Sequence, residues 1–518
     1  MDKKQIGKLF IIGYQGEEPS EEFLSFVKEW GIGGVIVFAR NLSDPLKLPE
    51  NLKKIREAAG NNIFTAIDQE GGLVLRILRY GSLFPSAMAL AAANDLGLAE
   101  KTYRAIGEEM LSLGLNWNLA PVLDINHPSN PGIGARSFSD TPQKVAEFGI
   151  AAIKGLQSTG VMACAKHFPG KGEARKDSHL TLPTIPYPAE RLHSFELYPF
   201  KKAIENNVAA IMTSHVFFPA FEKTPNLPIT LSKSVLTDLL RKELKFKGLV
   251  ITDDLEMGAI TESYGIAQAA LKSFMAGADQ LLICHSLDQQ KIAAETILKE
   301  VENNKEAAAR LQESIERIET AKAKLPDISK INYSLKDLSK KHKNLIKEVS
   351  EKSIKFLSVA PGTLPVEDSP DTHFILPLIS SLVQVEEEHK DKSLANIIKE
   401  YFPKSSSEVY EPKADCESIL KNVNISDKSR IVFMTYNGHL FKDQLKAAEN
   451  LATKCKNIIV IALRNPYDIF ECSFAKTKGA TFGFRTPAIK ALLDVLKGIK
   501  EPSTDNWPVK TESTPTLV

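Results

Sequence analysis

Short apolar runs, each followed at once by charged or imidazole side chains, recur along the first 325 residues, with helical patterns between them. Runs that are apolar on both faces are typical of parallel strands that helices cover on both sides. Alternating strands and helices form right-handed βαβ units, and eight such units close into a TIM-type (β/α)8 barrel. We therefore predict this barrel, with strands at 9–12, 34–39, 62–67, 119–123, 160–165, 208–213, 248–252 and 280–284 and helices at 46–59, 98–113, 142–158, 189–206, 233–243 and 266–276.

A second α/β domain is predicted after the barrel, because 518 residues are too many for one ordinary domain. Apolar periodicity is lost from Leu325 to about Ser339. We place a barrel at 1–325, a linker at 326–344 and an α/β/α layered C-terminal domain at 345–518. The predicted strands of the second domain lie at 354–359, 373–379, 430–436, 457–463 and 481–484, and its helices at 340–356, 393–401, 440–455 and 487–498.

The overall charge and the cysteines exclude several classes of protein. Lysine and arginine number 65 against 64 aspartates and glutamates, so no general attraction to nucleic acid is predicted. The five cysteines form no CxxC pair, and no histidine, cysteine and aspartate cluster has the spacing of a metal site. We expect no cofactor, no metal, no membrane insertion and a monomeric protein.

The N-terminal sequence carries no recognisable secretion signal. Its apolar stretch at 9–13 is short and is preceded by polar residues, unlike the apolar core of a signal peptide. We therefore expect a cytoplasmic protein, although a mature exported form would have the same appearance.

Carboxylates follow three of the predicted strands, at the end of the barrel where TIM-type enzymes hold their active sites. Asp124 is the one after the fourth strand, and the sequence indicates no particular role for it. Asp253 and Asp254 come directly after the seventh strand, and a carboxylate held there is rigid enough to serve as a nucleophile. The sequence leaves open which of the two faces the barrel mouth, and it favours a helix-capping role for Glu256. Asp68, after the third strand, is predicted to bind ligand, because a carboxylate can accept two hydroxyl groups of a sugar.

The stretch at 166–179 begins with two basic residues and closes with an Asp–His pair. Lys166 and His167 stand at the end of the fifth strand, and Asp177 and His179 follow a glycine-rich loop. An aspartate beside a histidine can orient the imidazole and stabilise its charge, which makes a proton-transfer group. Taken alone, the pair is equally compatible with a solvated loop that holds an ordinary Asp–His hydrogen bond.

Four other polar residues near strand ends carry weaker signals. Arg76 and Arg136 lie in loops, where a lone arginine is usually a surface residue. His215 and His285 could be functional groups, but they are equally compatible with buried, hydrogen-bonded side chains. Seven polar strand ends together nevertheless indicate a ring of functional groups around a ligand with many hydroxyls or charges.

Six segments, in this order and at this spacing, resemble family 3 glycoside hydrolases. The resemblance is strongest to the bacterial β-N-acetylglucosaminidases, also called β-hexosaminidases, that act on peptidoglycan fragments. It covers residues 1 to about 325 and extends more loosely to the C-terminal domain. The segments are 67–72 (IDQEGG), 120–125 (APVLDI), 135–138 (ARSF), 166–170 (KHFPG), 177–179 (DSH) and 252–257 (TDDLEM).

The resemblance implies a retaining exo-β-N-acetylglucosaminidase that hydrolyses terminal β-linked N-acetylglucosamine from muropeptide fragments. Asp253 would be the nucleophile that forms a covalent glycosyl-enzyme, and His179, oriented by Asp177, would be the general acid/base. The residues that would hold the sugar are Asp68, Arg76, Arg136, Lys166 and His167.

Other functions remain as alternatives. A neutral histidine base repels an anionic acceptor less than a carboxylate does, so a β-N-acetylglucosaminide phosphorylase is one alternative, and a broad β-glucosidase of the same family is another. A sugar-binding sensor without turnover is disfavoured because Asp253, Asp177 and His179 are all present. Lys171 departs from the family pattern, which often has histidine there, and this departure puts the aglycone preference in question.

Overall fold

The computed structural model describes residues 2–60, 62–174, 182–381 and 393–510. Eight parallel strands form a ring in the first part of the chain, in their order along the sequence, and the first strand pairs with the eighth. A bridge between Ile251 and Gln280 closes the ring, so the predicted TIM-type barrel is confirmed. Its strands are β1 (Phe10–Gly13), β2 (Gly34–Val37), β3 (Phe64–Ile67), β4 (Trp117–Asn118), β5 (Met162–Phe168), β6 (Ala210–Thr213), β7 (Leu249–Ile251) and β8 (Leu281–Ile283).

The fourth strand lies earlier in the chain than the prediction at 119–123. Pro121 falls within that predicted run, and a proline has no N–H to donate, so a regular ladder cannot continue through it. Val122 still forms an isolated bridge with Lys166 of β5. The chain therefore follows the barrel wall to its end without extending the strand.

Helices surround the barrel, mostly where they are predicted. The predicted helix at 189–206 is two helices, because Pro199 lies in the first turn of the second one, where proline starts a helix rather than continuing it. Gly265, at φ 65°, interrupts the helix after β7. The helices are Lys3–Gly7, Glu21–Trp30, Leu48–Ala59, Ala87–Ala93, Leu96–Ser112, Pro142–Gln157, Ala189–Ser194, Tyr198–Glu205, Ser234–Glu243 (a π-helix), Gly258–Ala276, Leu287–Asn303 and Lys305–Lys322, with 3-10 turns at Ala39–Asn41, Pro45–Lys47, Gly134–Arg136, Ile229–Leu231 and Ile328–Lys330.

The second part of the chain forms a six-stranded sheet with helices, as predicted. One predicted strand, at 481–484, lies earlier, at Thr477–Ala480, and one strand, Ser406–Tyr410, was not predicted. The missed strand is an exposed edge strand without an apolar run. The strands are β9 (Lys355–Ser358), β10 (Thr372–Pro377), β11 (Ser406–Tyr410), β12 (Arg430–Thr435), β13 (Asn457–Ala462) and β14 (Thr477–Ala480), and the helices are Leu394–Tyr401, Cys416–Leu420, Asp443–Lys454 and Thr486–Leu496, with a 3-10 turn at Pro466–Phe470.

The order of strands in this sheet is β9-β14-β13-β12-β10-β11. All neighbours are parallel except β9 and β14, which are antiparallel. The carboxyl ends of the parallel strands therefore lie along one edge of the sheet, and the loops after β12 and β13 contact the barrel.

A long helix, Leu335–Ser353, connects the two parts of the molecule. Ser334 caps its first turn, so it begins before the predicted start at 340. Ile346 and Val349 are buried in the barrel core, while other positions pack on the helix Thr486–Leu496 of the second sheet. The division of the chain into barrel, linker and second domain at the limits given above stays a prediction.

None of the helices in the described ranges is both long and apolar enough to cross a bilayer. All five cysteines are free thiols, and Cys164 and Cys284 are buried.

Candidate active site

A cavity of about 340 Å³ opens at the carboxyl ends of the barrel strands. All six sequence-predicted residues that the structure describes line it, which brings together side chains from five different parts of the chain. Asp177 and His179 lie outside the described residues. The six are Asp68, Arg76, Arg136, Lys166, His167 and Asp253.

Two carboxylates and three cations form a buried ion network on one side of the cavity. Lys166 Nζ lies 2.6 Å from Asp68 Oδ1 and 2.7 Å from Glu70 Oε1. Arg136 donates two hydrogen bonds of 2.8 Å, one to each oxygen of Glu70. Arg76 lies 3.8 Å from the second oxygen of Asp68. Each charge in the network therefore has an opposite charge beside it, as buried charges require.

The charge of Glu70 is strongly stabilised. Burial raises its pKa, but the charges and hydrogen bonds of Arg136 and Lys166 outweigh burial and lower the pKa to about 2. For Lys166, burial lowers the pKa and the two carboxylates outweigh it, so the pKa is raised. Both shifts favour the charged forms of Glu70 and Lys166, and the network presents fixed hydrogen-bonding groups to a ligand.

The network depends on backbone features that hold its members. Glu70 lies in a short hairpin, Gln69–Gly71 with Val74–Leu75, that follows β3. Arg136 ends the 3-10 turn Gly134–Arg136, and Gly134 has a φ of 48°. A Cβ at Gly134 would lie 2.5 Å from the side-chain oxygen of Asn465, so the second domain packs directly behind Arg136.

His167 is oriented by a carboxylate that the sequence did not single out. His167 Nδ1 lies 2.6 Å from Asp124 Oδ2, and the other oxygen of Asp124 accepts a 2.6 Å hydrogen bond from the N–H of Lys171. Burial raises the pKa of Asp124. Because Nδ1 donates to Asp124, the opposite ring nitrogen of His167 is directed into the cavity, 4.0 Å from Asp253 Oδ2.

The two neighbouring aspartates after β7 have different surroundings. Asp253 Oδ1 accepts a 3.0 Å hydrogen bond from the N–H of Asp254, and Asp253 Oδ2 faces His167 and Lys171. Asp254 Oδ1 accepts hydrogen bonds from two backbone N–H groups, those of Glu256 (3.1 Å) and Cys284 (3.2 Å). Asp254 thus stabilises the backbone at the end of β8. Asp253 instead presents an oxygen to the basic groups of the cavity.

Glu256 has a capping role, at a helix other than the one that follows it. Its two oxygens accept hydrogen bonds from the N–H groups of His285 (2.6 Å) and Ser286 (3.0 Å), at the start of the helix Leu287–Asn303. A carboxylate is favourable at the positive end of a helix. Glu256 therefore caps the helix after the neighbouring strand β8, and not the helix that follows Glu256 in sequence, for which the capping role was predicted.

The two histidines of uncertain role differ from each other. His215 is buried and hydrogen bonded to Thr230 Oγ1 (2.9 Å) and to the carbonyl of Asp254 (2.8 Å), and burial lowers its pKa. His285 has a half-exposed side chain and lines the cavity, 3.4 Å from a side-chain oxygen of Asp254. The buried interpretation is therefore right for His215 and wrong for His285.

The cavity residues that were not predicted as site residues include Phe38, Arg40 and Lys171. Arg40 donates hydrogen bonds to the carbonyls of Tyr14 (2.9 Å) and Cys284 (2.6 Å), and its guanidinium lies over the ring of Phe38. The position of Arg40 directly after the predicted strand at 34–39 could have indicated this role. Lys171 directly follows the recognised segment 166–170, at a position where the family often has histidine.

The second domain supports the cavity from outside. His439, in the loop after β12, donates to Asp468 and approaches the carbonyl of Pro128 in the barrel (3.1 Å). Arg485 donates to the carbonyl of Gly72 (3.0 Å), in the turn of the hairpin that carries Glu70. The residues found to line the cavity come from the barrel, among the described parts of the chain.

Known proteins resemble this chain over most of its length. Structurally, a family 3 β-N-acetylglucosaminidase from Paenibacillus sp. str. FPU-7 superposes with a TM-score of 0.89, at 33% identity, over 99% of both chains. The β-hexosaminidase A of Pseudoalteromonas piscicida is 32% identical over 390 residues, which are 69% of this chain and 64% of that protein's length. A β-hexosaminidase of Photobacterium profundum is 34% identical over 280 residues, 54% of this chain and 81% of its own. Residues 2–321 match the glycosyl hydrolase family 3 N-terminal domain, and the chain belongs to glycosyl hydrolase family 3.

Proposed function

We propose that this protein is a retaining exo-β-N-acetylglucosaminidase. The relatives named above are β-hexosaminidases or a β-N-acetylglucosaminidase, and their likeness extends over the barrel that holds the cavity. The proposal gives Asp253 the role of nucleophile and His179, with Asp177, the role of general acid/base.

The observation that carries the proposal is the convergence of Asp253 with the ion network in one cavity. Asp68, Lys166 and Arg136 supply acceptors and donors suited to the hydroxyls of one sugar ring. Asp253 is held at the end of β7 by the N–H of Asp254, with its other oxygen directed inwards. The proposal places the anomeric carbon of a sugar bound to the network beside that oxygen, because both line the same cavity.

The reaction proceeds in two displacements. Asp253 attacks the anomeric carbon while the protonated imidazole of His179 gives its proton to the departing oxygen. The neutral imidazole then removes a proton from water, which attacks the same carbon and releases Asp253. Asp177 orients the imidazole and stabilises its charged form.

The proposed source of the sugar is muropeptide fragments of peptidoglycan. These are exo-substrates with a terminal β-linked N-acetylglucosamine and a negatively charged aglycone. The cations Arg40 and Lys171 at the cavity favour such an aglycone by charge. We propose that the protein acts on them as a monomer.

The test is hydrolysis of an aryl β-N-acetylglucosaminide by the wild type and by Asp253→Ala. We expect turnover with retention of configuration, and a loss in kcat of about 10⁴-fold or more in the variant. Asp238→Asn, which removes an exposed carboxylate paired with Lys242, is the matched control and keeps full activity. Full activity of Asp253→Ala would refute the nucleophile assignment, and absence of wild-type turnover would refute the function.

Two further measurements separate the alternatives. His179→Ala is expected to lose more activity with poor leaving groups than with activated ones, because only poor leaving groups need protonation. Assays with and without inorganic phosphate, with identification of the sugar product, distinguish hydrolysis from phosphorolysis. Release of the sugar 1-phosphate would replace the hydrolase proposal with the phosphorylase.

A further inference from the structure

Lys171 is a buried cation beside the carboxylate proposed as the nucleophile. Only 7% of the residue is exposed, and its Nζ lies 3.6 Å from Asp253 Oδ2. The same oxygen lies 4.0 Å from His167 Nε2. In this partly dry cavity, a charge at such a distance acts strongly on Asp253, because little water screens it.

The backbone of Lys171 is held in place from two sides. Its N–H donates to Asp124 Oδ1 (2.6 Å), and the amide of Asn130 donates to the carbonyls of Lys171 and Gly172, each at 3.0 Å. A Cβ at Gly172 would lie 1.6 Å from the carbonyl oxygen of Ile125, so the loop lies directly on the barrel chain. The ammonium is therefore attached to a fixed base rather than to a loose loop.

We propose that Lys171 sets the balance between the two halves of the reaction, by making Asp253 a weaker nucleophile and a better leaving group. This inference rests on the proposed function. It assigns to Lys171 an electrostatic role that a histidine, with an unperturbed pKa of about 6.5, would fill only in its protonated form.

The charges change in opposite directions in the two steps. In the first step, an oxygen of Asp253 bonds to the anomeric carbon, the bond to the leaving oxygen breaks, and that oxygen takes a proton from the general acid. The carboxylate loses its negative charge when it becomes an ester, and its attraction to the Lys171 ammonium is lost. The ammonium therefore opposes this step. In the second step, water gives a proton to the general base and bonds to the anomeric carbon, the ester bond breaks, and its electron pair returns to Asp253. The ammonium favours this return of charge.

Removal of the cation should therefore slow the second step selectively. With an activated aryl β-N-acetylglucosaminide, we expect Lys171→Met to lower kcat about tenfold or more, while kcat/KM, which reports the first step, is kept or rises. The glycosyl-enzyme then accumulates, which gives a burst of aryl alcohol in rapid mixing and a covalent adduct on Asp253 by mass spectrometry.

Lys171→Arg is the matched variant, because it keeps the charge; it should restore wild-type kcat and abolish the burst. Lys171→Gln replaces Lys171→Met if the methionine variant does not fold, as judged by its thermal unfolding. Equal losses in kcat and kcat/KM without a burst, in the charged and uncharged variants alike, would show a packing role and overturn the inference. Unchanged kinetics in Lys171→Met would overturn it as well. Absence of turnover by the wild type would instead refute the proposed function.

Discussion

Replacement of Glu70 by glutamine tests the ion network that underlies the sugar site. Glu70 is 4% exposed and is the shared partner of Arg136 and Lys166. Glutamine keeps the shape but removes the charge, so two buried cations lose a counter-charge. Breaking a buried ion pair in this way costs about 3–5 kcal/mol of folding free energy.

The pKa of Glu70 gives a second, independent figure for the contribution of its charge to the folding free energy. It is lowered in the folded protein from 4.5 to about 2. A lowered carboxyl pKa contributes stability that is fully present above the unfolded pKa and is lost as pH falls through the folded one. The 2.5-unit difference corresponds to about 3 kcal/mol, in agreement with the first figure. More than half of it, roughly 2 kcal/mol, is lost between about pH 6 and pH 3.

The assay is urea unfolding of wild type and Glu70→Gln at several pH values between 6 and 3. We expect the variant to be less stable by about 3 kcal/mol at pH 6 and the difference to shrink towards pH 3. Glu313→Gln, an exposed carboxylate beside Arg317, is the control and should change the free energy of unfolding by less than about 1 kcal/mol. A difference between wild type and Glu70→Gln that stays constant over this range would refute the reasoning.

Two further predictions concern groups that hold the cavity together. Asp124→Asn should lower kcat/KM about 100-fold, because an amide orients His167 and the N–H of Lys171 less well than a carboxylate does. Steady-state kinetics measures the loss, and thermal unfolding of the variant should be unchanged. A loss of stability without a loss of kcat/KM would contradict the prediction. Gly172→Ala should prevent correct folding of the loop, since the new Cβ would lie 1.6 Å from the Ile125 carbonyl; near-wild-type activity and stability would contradict the packing described here.

The barrel could be predicted from the sequence because the pattern that indicates each strand is local. Each apolar run and the polar residue after it can be read within a few positions, and the barrel geometry then brings strand ends such as Asp68 and Asp253 to one face. Contacts between side chains that follow different strands cannot be predicted in this way. Lys166 and Glu70 are distant in sequence, and no local pattern states that one neutralises the other.

The errors have equally specific causes. The fourth strand was misplaced because an apolar run that contains Pro121 has the composition of a strand without the hydrogen-bonding capacity. The edge strand Ser406–Tyr410 was missed because an exposed edge needs no apolar run. Asp124 was noted as a strand end but not as the partner of His167, since that contact depends on the three-dimensional approach of β4 and β5.

The contacts of the second domain with Gly72 and Gly134 have a thermodynamic consequence. Gly72 turns the hairpin of Glu70, and Gly134 begins the turn of Arg136, so the domain interface and the sugar site share the same two backbone segments. A ligand that immobilises these segments from inside the barrel also orders the surface that the second domain contacts. Occupancy of the site and association of the domains are then linked equilibria, each of which raises the affinity of the other by the same factor.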